Sequence, residues 1–341
     1  MKLCYKYILN QFLSTNLSIF FTLFSIVSMV FFIQLAKFTS SIEISFLDLL
    51  RLYGFMLPRI LIFTLPIAFF IALTLAFYRL SKENESIVFF TLGFSPLNLA
   101  KFFLQIASCV SALMLVVALI VLPIVFELQD NFINYKKTQV KFNYKTGEFG
   151  QKFLDWMIFI EKEEANGYKN IILYHPKKLK TDKEQFIIAK EAKVLSKENG
   201  LSFELSSGKM YNFEDNQTMF IGDFEKLVIN TQVDNLNPKI KSFYEYWSDI
   251  STNEEKAKEF VIYTTIALFP LASTLFALSF GIVTYRYEKG FIYFGMFGVI
   301  GVYFGLLNIF HQPPILSCIL IFLSVFFISF ICFKKMILSR Y

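Results

Sequence analysis

Six apolar runs, each long enough to cross a lipid bilayer, limit what this chain can fold into. A membrane-spanning helix needs roughly 20 mostly apolar residues, and the sequence meets that length at 12–36, 55–78, 102–126, 260–283, 291–310 and 315–333. The chain is 55% hydrophobic and 18% charged, whereas an average soluble domain is about 45–50% apolar and about 25% charged. The sequence therefore predicts an α-helical membrane protein with six transmembrane helices.

The lysine and arginine residues that flank these runs predict how the chain crosses the membrane. Short loops on the cytoplasmic side of membrane proteins carry an excess of Lys and Arg. One side has Lys2, Lys6, Arg79, Lys82, Lys101, Arg286, Lys289, Lys334, Lys335 and Arg340, and the other has Lys37, Arg51 and Arg59. We therefore predict that both termini are cytoplasmic and that the long interval between the third and fourth runs faces outward.

That interval, residues 127–258, has the pattern of a β domain. Short apolar stretches recur from residue 153 to 228, at the spacing expected for the strands of a sandwich, jelly roll or open barrel. The dipeptides at 166–167 and 199–200 are both Asn-Gly, which two-residue hairpin turns favour. Acidic and basic residues nearly cancel here, so the net positive charge of the chain belongs to its membrane part. This argues against a nucleic-acid-binding surface.

The polar segment between the second and third runs, SKENESIVFFTLGFSP, contains more than a simple turn requires. Ser81 suits a helix N-cap, and Glu83 and Glu85 would then occupy the first turn, where carboxylates complement the helix dipole. Gly93 suits the left-handed residue after a helix end, and the Ser-Pro pair at 95–96 suits the start of the next helix. The pattern predicts a short amphipathic helix, which either lies on the bilayer surface or docks on a cytoplasmic partner.

No motif for catalysis, nucleotide binding or metal binding is present in the sequence. It lacks the glycine-rich phosphate-binding loop of ATPases, the H-E-x-x-H zinc motif and the G-x-S-x-G nucleophile motif. The two histidines, His175 and His311, fall at a predicted strand end and in a proline-rich turn. We therefore expect no catalytic residues, no metal and no cofactor in this chain.

Three basic residues, Lys37, Arg51 and Arg59, fall at the outward ends of the first two predicted helices. Long cationic side chains at helix ends often extend to the membrane interface as anchors. Charge inside a membrane helix is costly and often functional. The three residues could therefore either anchor the helices or contact the phosphate groups of an anionic amphiphile.

The segment LPRILIFTLPIAFFIALTLAFYRLSKENESIVFFTLGFSP resembles the lipopolysaccharide-export permeases of the LptF/LptG type. The resemblance rests on Pro58 and Pro66 in the second helix, and on Glu85, Gly93 and Ser95 after it. It extends over nearly the full chain, because the family has three helices, an outward jelly-roll-like β domain and three further helices. The stretch EKAKEF before the fourth helix is nearer the LptF branch.

The resemblance implies a transporter subunit and not an enzyme. It implies a Gram-negative inner-membrane complex of two paralogous permease subunits, a cytoplasmic ATPase dimer that binds the ATP, a single-helix membrane subunit and a periplasmic jelly-roll bridge. The complex extracts lipopolysaccharide or lipooligosaccharide from the outer leaflet of the inner membrane. Within it, Glu85 matches the glutamate that contacts the ATPase, Glu83 is an adjacent match, and Gly93 ends the same coupling helix.

The expected domain layout follows from the pattern and the resemblance together. Residues 1–126 hold transmembrane helices 1–3 with a coupling helix at 81–92. Residues 127–258 form the periplasmic jelly-roll-like domain and a connector, and residues 259–341 hold helices 4–6. An apolar trough for acyl chains would run along the β domain, with these candidates: Trp156, Ile158, Phe203 and Phe213.

Three other classes of protein remain open from the sequence. A permease of another ATP-driven lipid, lipoprotein or efflux transporter usually has four helices, with its large domain after the first. A membrane enzyme that acts on lipids would need a catalytic constellation, and a structural scaffold would need neither ATPase nor lipid.

Overall fold

The computed structural model contains the six membrane helices that the sequence predicts. It describes residues 2–39, 45–139, 151–153, 156–164, 167–176, 184–197, 200–213, 219–232, 242–251, 253–282, 289–310 and 312–339. Within these ranges, six helices have the length and composition to cross a membrane: Leu3–Ala36, Phe46–Lys82, Pro96–Ile133, Glu254–Gly281, Ile292–Ile309 and Pro314–Leu338. The helical part of the predicted fold class is therefore confirmed.

The helices follow the chain in two groups of three spans. The first group holds α1 (Lys2–Thr39), α2 (Phe46–Lys82), the short α3 (Glu85–Thr91), α4 (Pro96–Val116) and α5 (Leu122–Gln139). A π-helical turn (Val117–Val121) joins α4 to α5 within the third span. The second group holds the short α6 (Phe243–Ser248), α7 (Glu254–Gly281), α8 (Lys289–Ile309) and α9 (Pro314–Phe333).

Helices α2 and α7 form the core of the helical part. In the most apolar window of each span, 67% of α2 residues and 83% of α7 residues are buried, compared with 17% in α1 and 22% in α8. The rings of Phe70 and Phe269 meet edge to face between α2 and α7, with centroids 5.5 Å apart. Helix α7 also packs against α4, α8 and α9. The less buried helices therefore leave much apolar surface for lipid or for partner helices.

The interval between the third and fourth spans holds one antiparallel sheet, which confirms the predicted all-β insertion. Its strands are β1 (Gln151–Phe153), β2 (Trp156–Glu164), β3 (Gly167–His175), β4 (Glu184–Lys197), β5 (Gly200–Phe213) and β6 (Met219–Gln232). Each described strand pairs with the next one in the chain. Antiparallel strands pair on both sides of the two predicted turns, and the pairs nearest those turns are Glu164↔Gly167 and Lys197↔Gly200. Gly167 and Gly200 thus lie in strands, and residues 165–166 and 198–199 are outside the described residues.

One side of the sheet carries an apolar cluster that draws its buried residues from four strands, β2 to β5. Its fully buried members are Ile158, Ile160, Ile171, Leu173, Ile187, Ala189, Ala192, Phe203 and Leu205. Ala189 and Ala192 are three positions apart, although regular strand alternation would place them on opposite faces. On the two strands that flank β4, Asn170 (β3) and Ser207 (β5) have left-handed φ values of 52° and 50°. Such bulge-like interruptions let both halves of a strand face the same core.

The chain divides into two compact units. One unit comprises Met1–Phe32, Tyr53–Leu128 and Ile240–Tyr341, and is the helical unit. The other comprises Ile33–Leu52 and Gln129–Lys239, and holds the sheet, the last residues of α1 and α5 and the first residues of α2.

Candidate functional site

The segment between α2 and α4 folds as a short helix with a defined start. Helix α2 continues to Lys82, and Asn84 then adopts a left-handed φ of 59° just before α3 begins at Glu85. Asn is among the residues that tolerate this conformation best. The prediction that Ser81 caps this helix is wrong, because α2 extends through Ser81 and the break falls three residues later.

Ser81 instead ties the end of α2 to the end of α7. Its hydroxyl donates to the carbonyl oxygen of Gly281 at 3.0 Å, and both groups are buried. A Cβ on Gly281 would lie 2.6 Å from the Cβ of Phe77 and 2.8 Å from the carbonyl oxygen of Thr74. The two helices therefore approach at a point where only glycine fits, immediately before the turn into α3.

The end of α3 is a Schellman motif. The Phe94 N–H donates to the Phe89 carbonyl at 3.0 Å, and the Gly93 N–H donates to the Phe90 carbonyl at 3.1 Å. Gly93 has a φ of 83°, which confirms the predicted left-handed conformation. The Ser-Pro pair at 95–96 provides the N-cap position and the first residue of α4, as predicted, although the Ser95 side chain makes no capping hydrogen bond.

The two acidic residues of this segment have different partners. Glu83 pairs with Arg79 at 3.2 Å, and both side chains are well exposed, so the pair contributes little to stability. Glu85 is half-buried, and its Oε1 accepts a hydrogen bond from the hydroxyl of Tyr7 on α1 at 3.1 Å. Its other oxygen, Oε2, is buried and has no hydrogen-bond partner among the residues that the structure describes.

Two grooves flank α3. The one on the α1 side has a volume of about 420 Å³ and is lined by Leu3, Cys4, Tyr7, Glu83, Glu85, Val88 and Phe89. The other, of about 350 Å³, is lined by Ile87, Phe90, Thr91 and residues 93–96. Both carboxylates of the segment therefore border the α1-side groove, whereas the described lining of the second groove has no charged side chain.

Arg59 is held inside the helical unit by aromatic side chains. Its guanidinium carbon lies 5.8 Å from the ring centroid of Phe31 and 5.5 Å from that of Phe126, which are cation–π distances. The Tyr263 hydroxyl also interacts with this guanidinium. No carboxylate lies within salt-bridge distance of Arg59 in the part of the chain that the structure describes.

The other two basic candidates belong to the second compact unit. Arg51 lies near the start of α2 and is exposed. Lys37 lies in the last turn of α1, and its side chain is outside the described residues.

Three of the four trough candidates share one face of the sheet. Ile158 and Phe203 are buried in the apolar cluster, and Trp156 packs against it. Phe213 is 40% exposed. It is three positions from Met210, which packs against the cluster, so strand alternation turns Phe213 to the opposite face.

Sequence reasoning missed the contacts that connect α3 to the membrane helices. Tyr7 and Glu85 are 78 positions apart, and Ser81 and Gly281 are 200 positions apart. No local pattern marks Tyr7 among the 17 tyrosines of the chain.

Taken together, the fold is that of a multi-pass membrane protein with an all-β unit inserted between its third and fourth spans. Within the described ranges, no group of His, Cys, Asp and Glu side chains could hold a metal ion. The family model for the lipopolysaccharide export system permease LptF/LptG matches residues 6–338, and the chain belongs to this family. It is thus a lipopolysaccharide-export permease and a multi-pass protein of the inner membrane. No curated protein matches the chain.

Proposed function

We propose that this permease works with a separate ATPase dimer, which binds and hydrolyses ATP in the cytoplasm. Together they move lipopolysaccharide or lipooligosaccharide from the outer leaflet of the inner membrane to a periplasmic jelly-roll bridge. The permease sequence has no phosphate-binding loop of its own. A force that drives transport would therefore have to enter the membrane helices from outside the chain.

The observation that carries this proposal is the set of contacts around α3. Tyr7 links α3 to α1, and the Ser81–Gly281 hydrogen bond links the end of α2 to α7. The Schellman motif and Pro96 lead directly into α4. A push on α3 would consequently reach four membrane helices. In this proposal Glu85 contacts the ATPase, Glu83 supports that contact, and Gly93 keeps the end of α3 rigid.

Charge reversal at Glu85 tests the proposal. In the complete transporter, reconstituted in lipid vesicles, Glu85→Lys should leave membrane insertion intact and abolish transport that depends on ATP. Glu255→Lys is the matched control, because Glu255 is exposed at the opposite end of α7 from Gly281. Unchanged lipopolysaccharide transport with Glu85→Lys would remove the coupling role from α3.

The remaining partners follow from the same assignment. The chain pairs with a paralogous permease subunit, and a single-helix membrane subunit joins the pair. Both termini and α3 face the cytoplasm, and the sheet faces the periplasm. The sparsely buried surfaces of α1 and α8 are suited to contacts with helices of other subunits.

The substrate path begins, in this proposal, with basic side chains that contact lipid phosphates: Lys37, Arg51 and Arg59. Arg59 fits this role because the aromatic rings that hold it do not neutralise its charge. The acyl chains then follow an apolar trough on the sheet, for which the candidates are Trp156, Ile158, Phe203 and Phe213.

Photo-crosslinking can identify the face of the sheet that carries lipid. A photoreactive amino acid at Trp156 would sit beside the apolar cluster, whereas one at Phe213 would sit on the opposite face. Capture of lipopolysaccharide at 156 alone would place the trough on the cluster face. Capture at 213 alone would place it on the other face, and capture at neither position would exclude the trough.

A further inference from the structure

In the described part of the chain, only one of the two oxygens of the Glu85 carboxylate accepts a hydrogen bond. Tyr7 donates to Oε1, while Oε2 is buried and lacks a hydrogen-bond partner within the described residues. An ionised carboxylate can accept about four hydrogen bonds, and leaving one of its oxygens buried and unpaired is costly. Among the described residues, the hydrogen bond from Tyr7 on α1 is thus the only one that the Glu85 side chain makes.

This position also hides the carboxylate from a partner. Because Oε2 is inaccessible to solvent, a cationic side chain that enters the α1-side groove cannot reach both oxygens. An arginine guanidinium binds a carboxylate best with two parallel hydrogen bonds. For Glu85 to accept such a pair, its side chain must turn toward the groove and leave the Tyr7 hydroxyl.

We propose that Tyr7 and a cationic side chain of the ATPase compete for Glu85, so that Tyr7 acts as a latch on the coupling helix. This inference rests on the proposed function, in which Glu85 contacts the ATPase. In the latched state Glu85 connects α3 to α1. When the ATPase binds, Glu85 leaves Tyr7 and the cytoplasmic end of α1 loses that connection, so docking and the release of α1 are one event.

The groove is suited to this exchange. Glu83 borders it together with Glu85, so a cation entering the groove meets two acidic side chains. Leu3, Val88 and Phe89 supply apolar walls beside these two carboxylates. The Tyr7 ring lies beside Phe89, with centroids 6.4 Å apart, and this packing does not require the hydroxyl.

The test is Tyr7→Phe, which removes the hydroxyl and retains the ring. Labelled ATPase is titrated onto nanodiscs that contain the assembled permease pair. We expect Tyr7→Phe to tighten binding about tenfold, since the competing state loses a hydrogen bond to a charged group. Tyr5→Phe is the matched control. Tyr5 lies on α1 within one turn of Tyr7, and its ring packs on Phe94 and Phe102. Equal or weaker binding with Tyr7→Phe overturns the latch.

Two further measurements separate the latch from the coupling role, and the second does not depend on Tyr7→Phe. Glu85→Ala should weaken ATPase binding, and unchanged binding would contradict the proposed function. If Glu85→Ala weakens binding but Tyr7→Phe has no effect, only the latch is removed. With 3-fluorotyrosine at position 7, the ¹⁹F resonance should shift when ATPase is added to the wild-type pair and should not shift with Glu85→Ala. If the ¹⁹F resonance of the wild-type pair does not shift when ATPase is added, the latch is also overturned.

Discussion

The indole N–H of Trp247, in α6, donates to the carbonyl oxygen of Leu119 at 2.9 Å. In a regular helix, that carbonyl would accept from the residue four positions later, which here is Pro123 and has no N–H. The short helix before α7 thus supplies the Leu119 carbonyl with a hydrogen bond that Pro123 cannot donate. Trp247 also packs on Phe260, with ring centroids 5.2 Å apart, so α6 is fixed to two helices of the helical unit.

Trp247→Phe should lower the stability of the protein by about 1–3 kcal/mol, because a partly buried carbonyl loses the indole donor. Pro123→Ala supplies an N–H at the same carbonyl, so the double variant should lose clearly less stability than Trp247→Phe alone. Thermal unfolding followed by circular dichroism measures both effects. Tyr244→Phe, in the same short helix and exposed, is the control. A double variant as unstable as Trp247→Phe would contradict this pairing.

Gly281→Ala should destabilise the contact between α2 and α7 by about 1–3 kcal/mol, because the new methyl group would overlap the Cβ of Phe77. Gly298→Ala on α8 is the control. Among the described residues, no atom outside its own helix segment would lie within 4 Å of the added methyl group, and alanine favours helices. The measurement is the unfolding temperature of the two purified variants. Equal temperatures would show that α2 and α7 can separate at this point without cost.

Gly93→Ala should weaken ATP coupling without affecting the packing of the helices. The position has open space around it in the described part of the chain, so the expected cost of about 1–2 kcal/mol comes from the left-handed backbone alone. Gly93→Asn should retain more activity, because Asn tolerates this conformation better. ATPase stimulation in the reconstituted transporter is the readout. Equal stimulation by the Ala and Asn variants would show that the backbone conformation of Gly93 is not what matters.

Cysteine labelling should place α3 and the sheet on opposite sides of the membrane. In a variant that lacks the native cysteines, Glu83→Cys should react with an impermeant maleimide only after the inner membrane is opened. Glu225→Cys, exposed on β6, should react once the reagent has entered the periplasm. Labelling of both positions from the same side would contradict the predicted topology.

The local features of the segment between α2 and α4 could be predicted from sequence because they depend on single residues. Gly93 and the Ser-Pro pair at 95–96 have intrinsic backbone preferences that do not depend on distant contacts. The assignment of Ser81 as an N-cap failed because its side chain makes a distant contact that no local pattern indicates. A serine before an acidic turn is a good N-cap in isolation, but here its hydroxyl bonds to Gly281, 200 positions away.

The sequence by itself determined the class of protein: the length and hydropathy of six runs require membrane helices, and strand patterns with Asn-Gly turns require an inserted sheet. The tertiary structure alone decided which side chains meet, such as Tyr7 with Glu85 and Trp247 with Leu119. The physical reason is that hydropathy and turn propensity act over a few residues, whereas these hydrogen bonds join segments that only helix packing brings together.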